Sequence, residues 1–129
     1  MSDIPQGLHY TEEHEYLKET DEDGVFVVGI TDYAQGELGD VVFVELPSAG
    51  ETFSRMDTFG TIEAVKAVSD LYCPVGGEIV AVNEALDADP SLVNSDPYEG
   101  GWMVRLKVSD RGQIDQLMDA SAYAEHVGE

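Results

Sequence analysis

Lys66 stands between two runs, Thr61 to Val65 and Val68 to Tyr72, whose β-branched and aromatic residues suit strands, and Pro74, Gly76 and Gly77 mark the next turn. The pattern predicts a hairpin with Val65, Lys66 and Ala67 at its tip. A primary amine held there is open to acylation. A swinging-arm carrier needs one lysine on a rigid, exposed tip, because a modifying enzyme must reach the amine and the attached group must then visit other active sites. Acylation removes the charge and leaves an arm that can lie on the protein or swing free. An ordinary surface lysine is simply solvated, so the rest of the chain must decide between the two.

No other residues group into reactive machinery. His9 and His14 lie near Glu12, Glu13 and Glu15, but their spacing is not that of a helical metal-binding pair, and His126 is remote in sequence, so no metal site is assigned. Carboxylates are too numerous for any pair to mark acid–base catalysis. Cys73, beside Pro74, has no neighbour that would lower its pKa or act as its base, and reads as a packed small residue. No phosphate-binding glycine loop is present. No catalytic residue is assigned.

Composition narrows the setting. A chain of 129 residues is one domain's worth, 1–129, with a core over about 16–108 and a helical tail over about 109–129. The 27 acidic and 6 basic residues give a net charge of −21, which repels nucleic acid and anionic membranes and calls for basic partners, unless it serves solubility alone. One cysteine allows no internal disulfide and fits a reducing compartment. No apolar run approaches membrane-spanning length and the acidic start resembles no signal or transit peptide, so a cytoplasmic location is expected.

The elements that would hold Lys66 are mainly strands. Tyr16 to Thr20, a turn at Asp21 to Gly24, and Val25 to Ile30 read as a first hairpin. Asp32, with Gln35 three positions on and Gly39 after Leu38, has the form of a capped short helix. Gly39 to Leu46 is a strand, and Glu51 to Phe59 continues extended, with Met56 and Phe59 as expected core contacts. The unit Gly39 to Val44 echoes Gly77 to Val82, 38 residues later, which fits a pseudo-symmetric pair of sheets. Asn83 to Asn94 reads as a surface loop with a helical turn, and Trp102 to Val108 as an alternating strand. Beyond Ser109 the pattern is helical, with Ile114, Leu117 and Met118 on one face and a second short helix over Ser121 to Val127.

Five stretches in this order carry a likeness: Tyr10, Thr11, His14 and Glu15; GITDYAQGELGDVVFVELP from Gly29; GTIEAVKAVSDLYCPVGGEIVAVN from Gly60; LVNSDPYEGGWM from Leu92; and Asp119, Ala120 and Tyr123. Over nearly its full length the chain resembles the H proteins of the glycine cleavage system. The resemblance implies a mainly β fold of the lipoyl/biotinyl-carrier type, two antiparallel sheets in a flattened barrel-like sandwich with short helices. It implies lipoate attached covalently to Lys66, with Glu63 part of the lipoylation signature. Biotin carriers have methionines beside the lysine, where this chain has Val65 and Ala67. It further implies a cleft for the loaded arm at His14, Glu15 and Asp70.

By the same resemblance the protein is a carrier and not an enzyme. It would shuttle the aminomethyl group of glycine from the pyridoxal-phosphate glycine decarboxylase (P protein) to the tetrahydrofolate-dependent aminomethyltransferase (T protein). The flavin dihydrolipoyl dehydrogenase (L protein) would reoxidise it, and a lipoyl-transferring or ligating enzyme would load it. A lipoyl relay for another pathway, and an unmodified interaction domain, are alternatives the residues leave open. Three positions depart from the family pattern: Glu13 in place of the usual Ser adds charge to the cleft, Tyr16 in place of Trp gives a smaller ring that would alter the packing of the arm, and Cys73 stands where Ser is common.

Overall fold

The computed structural model describes residues 3–128 as two antiparallel sheets with short helices between and after them. The strands are β1 (His9–Tyr10), β2 (Glu15–Glu19), β3 (Val25–Ile30), β4 (Val41–Glu45), β5 (Thr52–Phe53), β6 (Thr58–Ala64), β7 (Val68–Tyr72), β8 (Gly77–Val82) and β9 (Val104–Val108). The larger sheet runs β1-β2-β3-β9-β8-β5 and the smaller β4-β6-β7. The result is an unclosed sandwich, mainly β as expected, and the two copies of the glycine-acid-strand echo fall in different sheets as β4 and β8.

Alternation explains the packing. Val41, Val44, Ile62 and Leu71 of the smaller sheet and Leu17, Val28, Ile79 and Leu106 of the larger are almost fully buried and meet between the sheets. A second buried cluster joins Leu8, Tyr10, Tyr16, Val27 and Tyr98 to Ala120 and Tyr123, so both ends of the chain pack against one flank of the larger sheet. Tyr10 stacks on Tyr123 at 4.7 Å, and Tyr10 and Met118 exchange backbone hydrogen bonds of 2.8 and 2.9 Å.

Helix α1 (Asp32–Leu38) begins one residue earlier than the capping pattern indicates: Thr31 is the cap, its hydroxyl accepting from the Ala34 amide, while Asp32 occupies the first turn and binds Gln35. The extended run over Glu51 to Phe59 is broken by a turn at Ser54 to Asp57, closed by the Asp57 amide donating to the Ser54 carbonyl. Met56 sits in this turn at φ 69° and is exposed, not a core contact, whereas Phe59 is buried. Asn83 to Asn94 is more ordered than a surface loop. It holds α2 (Ala85–Ala88) and α3 (Leu92–Ser95), each pinning one buried side chain, Leu86 or Val93, to the core.

The tail opens with a 3-10 helix (Arg111–Gln116) capped by the Asp110 carboxylate, followed by α4 (Ala120–Val127). A spacing of three residues serves a 3-10 turn as well as an α-turn, so the apolar positions alone did not separate them. Among the described residues no helix is long and apolar enough to cross a membrane.

Candidate functional site at the hairpin tip and its cleft

Strands β6 and β7 pair from Thr58↔Tyr72 up to Glu63↔Val68, and the Ala64 amide closes the turn on the Ala67 carbonyl at 2.8 Å. Lys66 is exposed at the tip. The tip is nevertheless tied down. The Val65 amide donates to the Asp40 carbonyl at 2.9 Å, fastening the hairpin to the junction between α1 and β4. Directly beneath the lysine lies Gly39, at φ 82°. A Cβ there would meet Lys66 Cε, Cδ and Cγ at 3.2 to 3.5 Å, so glycine supplies both the left-handed backbone and the bed for the lysine stem.

Asn94 braces this bed. Its side-chain oxygen accepts from the Val41 amide at 2.8 Å, and its amide group donates to the Gly39 carbonyl and to Gln35 Oε1, each at 2.9 Å. Asn94 therefore holds the backbone that holds the lysine, a role its position in an acidic, turn-rich segment did not disclose. Asn94→Ala is expected to cost about 2 kcal/mol in urea unfolding, the loss of three bonds with two backbone groups left unpaired, and to speed hydrogen exchange at the Val65 amide.

Beside the hairpin, along the free edge of β7, a cleft of about 170 Å³ is lined by Glu13, His14 and Glu15, by Ile30, Ala34, Glu37 and Leu38, and by Ile62, Ser69, Asp70 and Leu71. The structure thus brings His14, Glu15 and Asp70 together beside the hairpin that carries Lys66, with an apolar wall that sequence patterning did not assign. Glu13 joins the cleft. Tyr16 does not: its hydroxyl donates to the Pro97 carbonyl at 2.6 Å and its ring lies over Gly29, its cross-strand partner, in the buried cluster. The expectation that this ring would alter packing in the cleft is corrected accordingly. Tyr16 fills the space that a side chain on Gly29 would take.

Of the four carboxyls that line the cleft, Asp70 and Glu15 have contrasting environments. Asp70 is exposed. Glu15 is 2% exposed, its Oε1 accepting from the Thr11 hydroxyl at 2.7 Å and its Oε2 from the Tyr72 amide at 3.4 Å. Burial pushes the Glu15 carboxyl up to about 8, well above the usual carboxylate range, against the opposing pull of those two hydrogen bonds. Glu15 is thus mostly a neutral acid at pH 7.

His14 closes the β1–β2 turn at φ 72°, a left-handed conformation fixed by its amide on the Thr11 carbonyl and its carbonyl on the Thr31 amide. Its Nδ1 lies 2.8 Å from the Tyr123 hydroxyl, which also binds Thr31 Oγ1 at 2.7 Å. Burial, then the neighbouring His126 with its ring centroid 5.8 Å away, lowers the His14 pKa. Sequence distance hid this neighbour. Cys73 is buried, donates from Sγ to the Val75 carbonyl, and is pushed up to about 12 by burial, so it is held as a packed thiol.

An open two-sheet sandwich that displays one lysine at a braced hairpin tip beside a mixed apolar and acidic cleft has the architecture of the carrier-domain class. Comparison with known proteins narrows this. The sequence profile described as "Glycine cleavage H-protein" matches residues 8–129, and the chain belongs to that family. Among its relatives are the glycine cleavage system H proteins of Bacillus mycoides (strain KBAB4), 54% identical over 122 residues, covering 95% of this chain and 94% of that one, and of Prosthecochloris aestuarii, 56% identical over 126 residues and 98% of each. The crystal structure of a glycine cleavage system H protein from Mycobacterium marinum is 40% identical, with a TM-score of 0.88 over 98% of this chain and all of that one.

Proposed function

We propose that this chain is a lipoylated carrier of the glycine cleavage system, with lipoate held in amide linkage on Lys66 and Glu63 on the same hairpin as part of the signature read during attachment. The observation that carries the reading is the pairing of an exposed, braced Lys66 with a cleft beside it large enough for part of an acyl arm. The glycine bed under the lysine stem fits such a group, because it leaves the stem free of side-chain crowding. When attached, lipoate would supply a disulfide ring that opens as it takes up the aminomethyl fragment of glycine, one sulfur bonding the fragment and the other becoming a thiol. Every other task belongs to the chain. Lys66 sets the reach of the arm, the walls of Ile30, Ala34, Leu38, Ile62 and Leu71 exclude water from it, and Asp70 and Glu15 offer acidic groups to a basic amine docked there.

In this reading residues 1–129 act as one domain, cytoplasmic, with no catalytic residue of its own. Its partners are the P, T and L proteins and the enzyme that transfers or ligates lipoate. The net charge of −21 favours basic rims on those partners, so association should weaken as salt rises.

The test is the intact mass of the protein from its native source, with peptide mapping across Gly60 to Tyr72. A lipoyl-sized increment on Lys66 supports the reading, and an unmodified Lys66 in cells that lipoylate other proteins overturns it. Glycine-dependent exchange of carbon dioxide, with the lipoylated protein and a glycine decarboxylase, then separates the glycine cleavage role from that of a lipoyl relay.

A further inference from the structure

The outer face of the smaller sheet carries an apolar patch that the cleft and the lysine do not explain. Four of the six exposed large hydrophobic residues among those described, Val42, Phe43, Val65 and Val68, lie on β4, the hairpin tip and β7. The clustering has a local cause. A bulge in β4 shifts the register between Val41↔Ala64 and Phe43↔Glu63, so that two consecutive apolar residues turn outward between the buried Val41 and Val44. Phe43, Glu63 and Val68 are then direct cross-strand neighbours on one face, with Glu63 in the middle of the row. Phe43 is 48% exposed, Val68 67% and Val65 73%, a poor use of apolar residues in a chain this acidic unless something covers them.

Charge says what can cover them. The next row across the same face is Glu45, Thr61 and Asp70, and of the six basic residues only Lys66 falls on the strands of this sheet or the tip of its hairpin, Arg55 lying in the turn that leads into β6. A second copy of the chain would meet like charge, each copy at −21, and an anionic lipid surface would be repelled as well. The fitting occupant is a heterologous protein with an apolar centre and a rim of arginine or lysine. Contact there leaves the adjoining Lys66 amine at the edge of the interface, where an active site belonging to the occupant can receive it.

Resting on the reading that Lys66 is lipoylated, we propose that the Val42–Phe43–Val68 face, centred on Glu63, is the docking surface for the enzyme that acylates Lys66. The cleft opens along the free edge of β7 and shares with this face only its border residue, Asp70. Presentation of the bare lysine and storage of the loaded arm therefore use adjoining surfaces of one hairpin that meet at Asp70.

The experiment uses the full unmodified chain, a purified lipoate-ligating enzyme, lipoate and ATP, and measures the rate of mass gain against protein concentration. The double variant Phe43→Thr/Val68→Thr keeps β-compatible residues at both exposed positions and is expected to keep its unfolding midpoint. Its KM should rise about tenfold or more, the size expected for loss of a central apolar anchor, with kcat unchanged. Glu63→Gln should raise KM and flatten its dependence on salt. A double variant with KM within about twofold of the parent overturns the docking surface while leaving the lipoyl reading intact. A parent chain that takes up no lipoate overturns both.

Discussion

Lys66→Arg is expected to abolish carrier activity in a reconstituted glycine cleavage assay, with no mass gain on incubation with the ligating enzyme and lipoate. Arginine keeps the length of the stem over Gly39 and the positive charge, but a guanidinium does not become an acyl-lysine amide. The fold should not notice. Lys66 is exposed and makes no ion pair among those found in the described residues, so urea unfolding should shift by less than about 0.5 kcal/mol. Full loss of turnover with unchanged stability is the signature of a modification site. Residual turnover would show that another group carries the substrate.

Glu15→Gln is expected to remove most of the pH dependence of stability between pH 5 and 9. The folded-state pKa of Glu15 lies at about 8 against an ordinary value of 4.5, raised by burial. Between these values the folded chain holds a proton that the unfolded chain has released. Stability from this group is therefore fully present below pH 4.5, declines as pH rises, and is gone above pH 8. At about 1.4 kcal/mol for each unit, the full swing is on the order of 5 kcal/mol. Glutamine mimics the neutral acid: its carbonyl can take the Tyr72 amide, and the Thr11 hydroxyl can turn to accept from its amide, at a cost of about 1 kcal/mol. The variant should match or slightly trail the parent in urea at pH 5 and exceed it by several kcal/mol at pH 9. Parallel pH profiles for the two proteins would show that Glu15 is ionised throughout.

The same buried proton bears on the cleft's chemistry. A docked cationic amine favours the ionised carboxyl, so docking near neutral pH would release a proton from Glu15 to solvent, whereas exposed Asp70 offers its charge directly. The two acids, both placed in the cleft by the resemblance, are thus unequal in the folded protein.

That inequality marks where sequence reading runs out. Lys66 was legible because the signal is local: β-branched runs on both sides, a short tip, and a glycine-rich turn after it. The strands β3, β7 and β9 were legible for the same reason. Glu15 was not, since a glutamate gives no local sign that it will be buried, and its burial depends on the approach of β7 from 57 residues away. The turn at Ser54 to Asp57 was missed because it has neither glycine nor proline, and Met56 takes the left-handed position where glycine would have announced it. Asn94 and Tyr123 reach across the fold to Gly39 and His14, and no periodicity encodes such contacts. The resemblance to a known family pointed to the cleft residues His14, Glu15 and Asp70, but the apolar wall between them needed coordinates.

Tyr123 and Met118 have a consequence for the order in which the molecule can be assembled. The lysine hairpin is built from contacts inside Thr58 to Tyr72 and from its neighbour β4, and the Asn94 that braces its bed also precedes the tail in the chain. The seat of His14 depends on the Tyr123 hydroxyl, and Tyr10 is secured by Met118 and Tyr123, so this wall of the cleft waits for the last helix to emerge. A growing chain therefore displays its lysine before it owns a place to shelter what the lysine will carry.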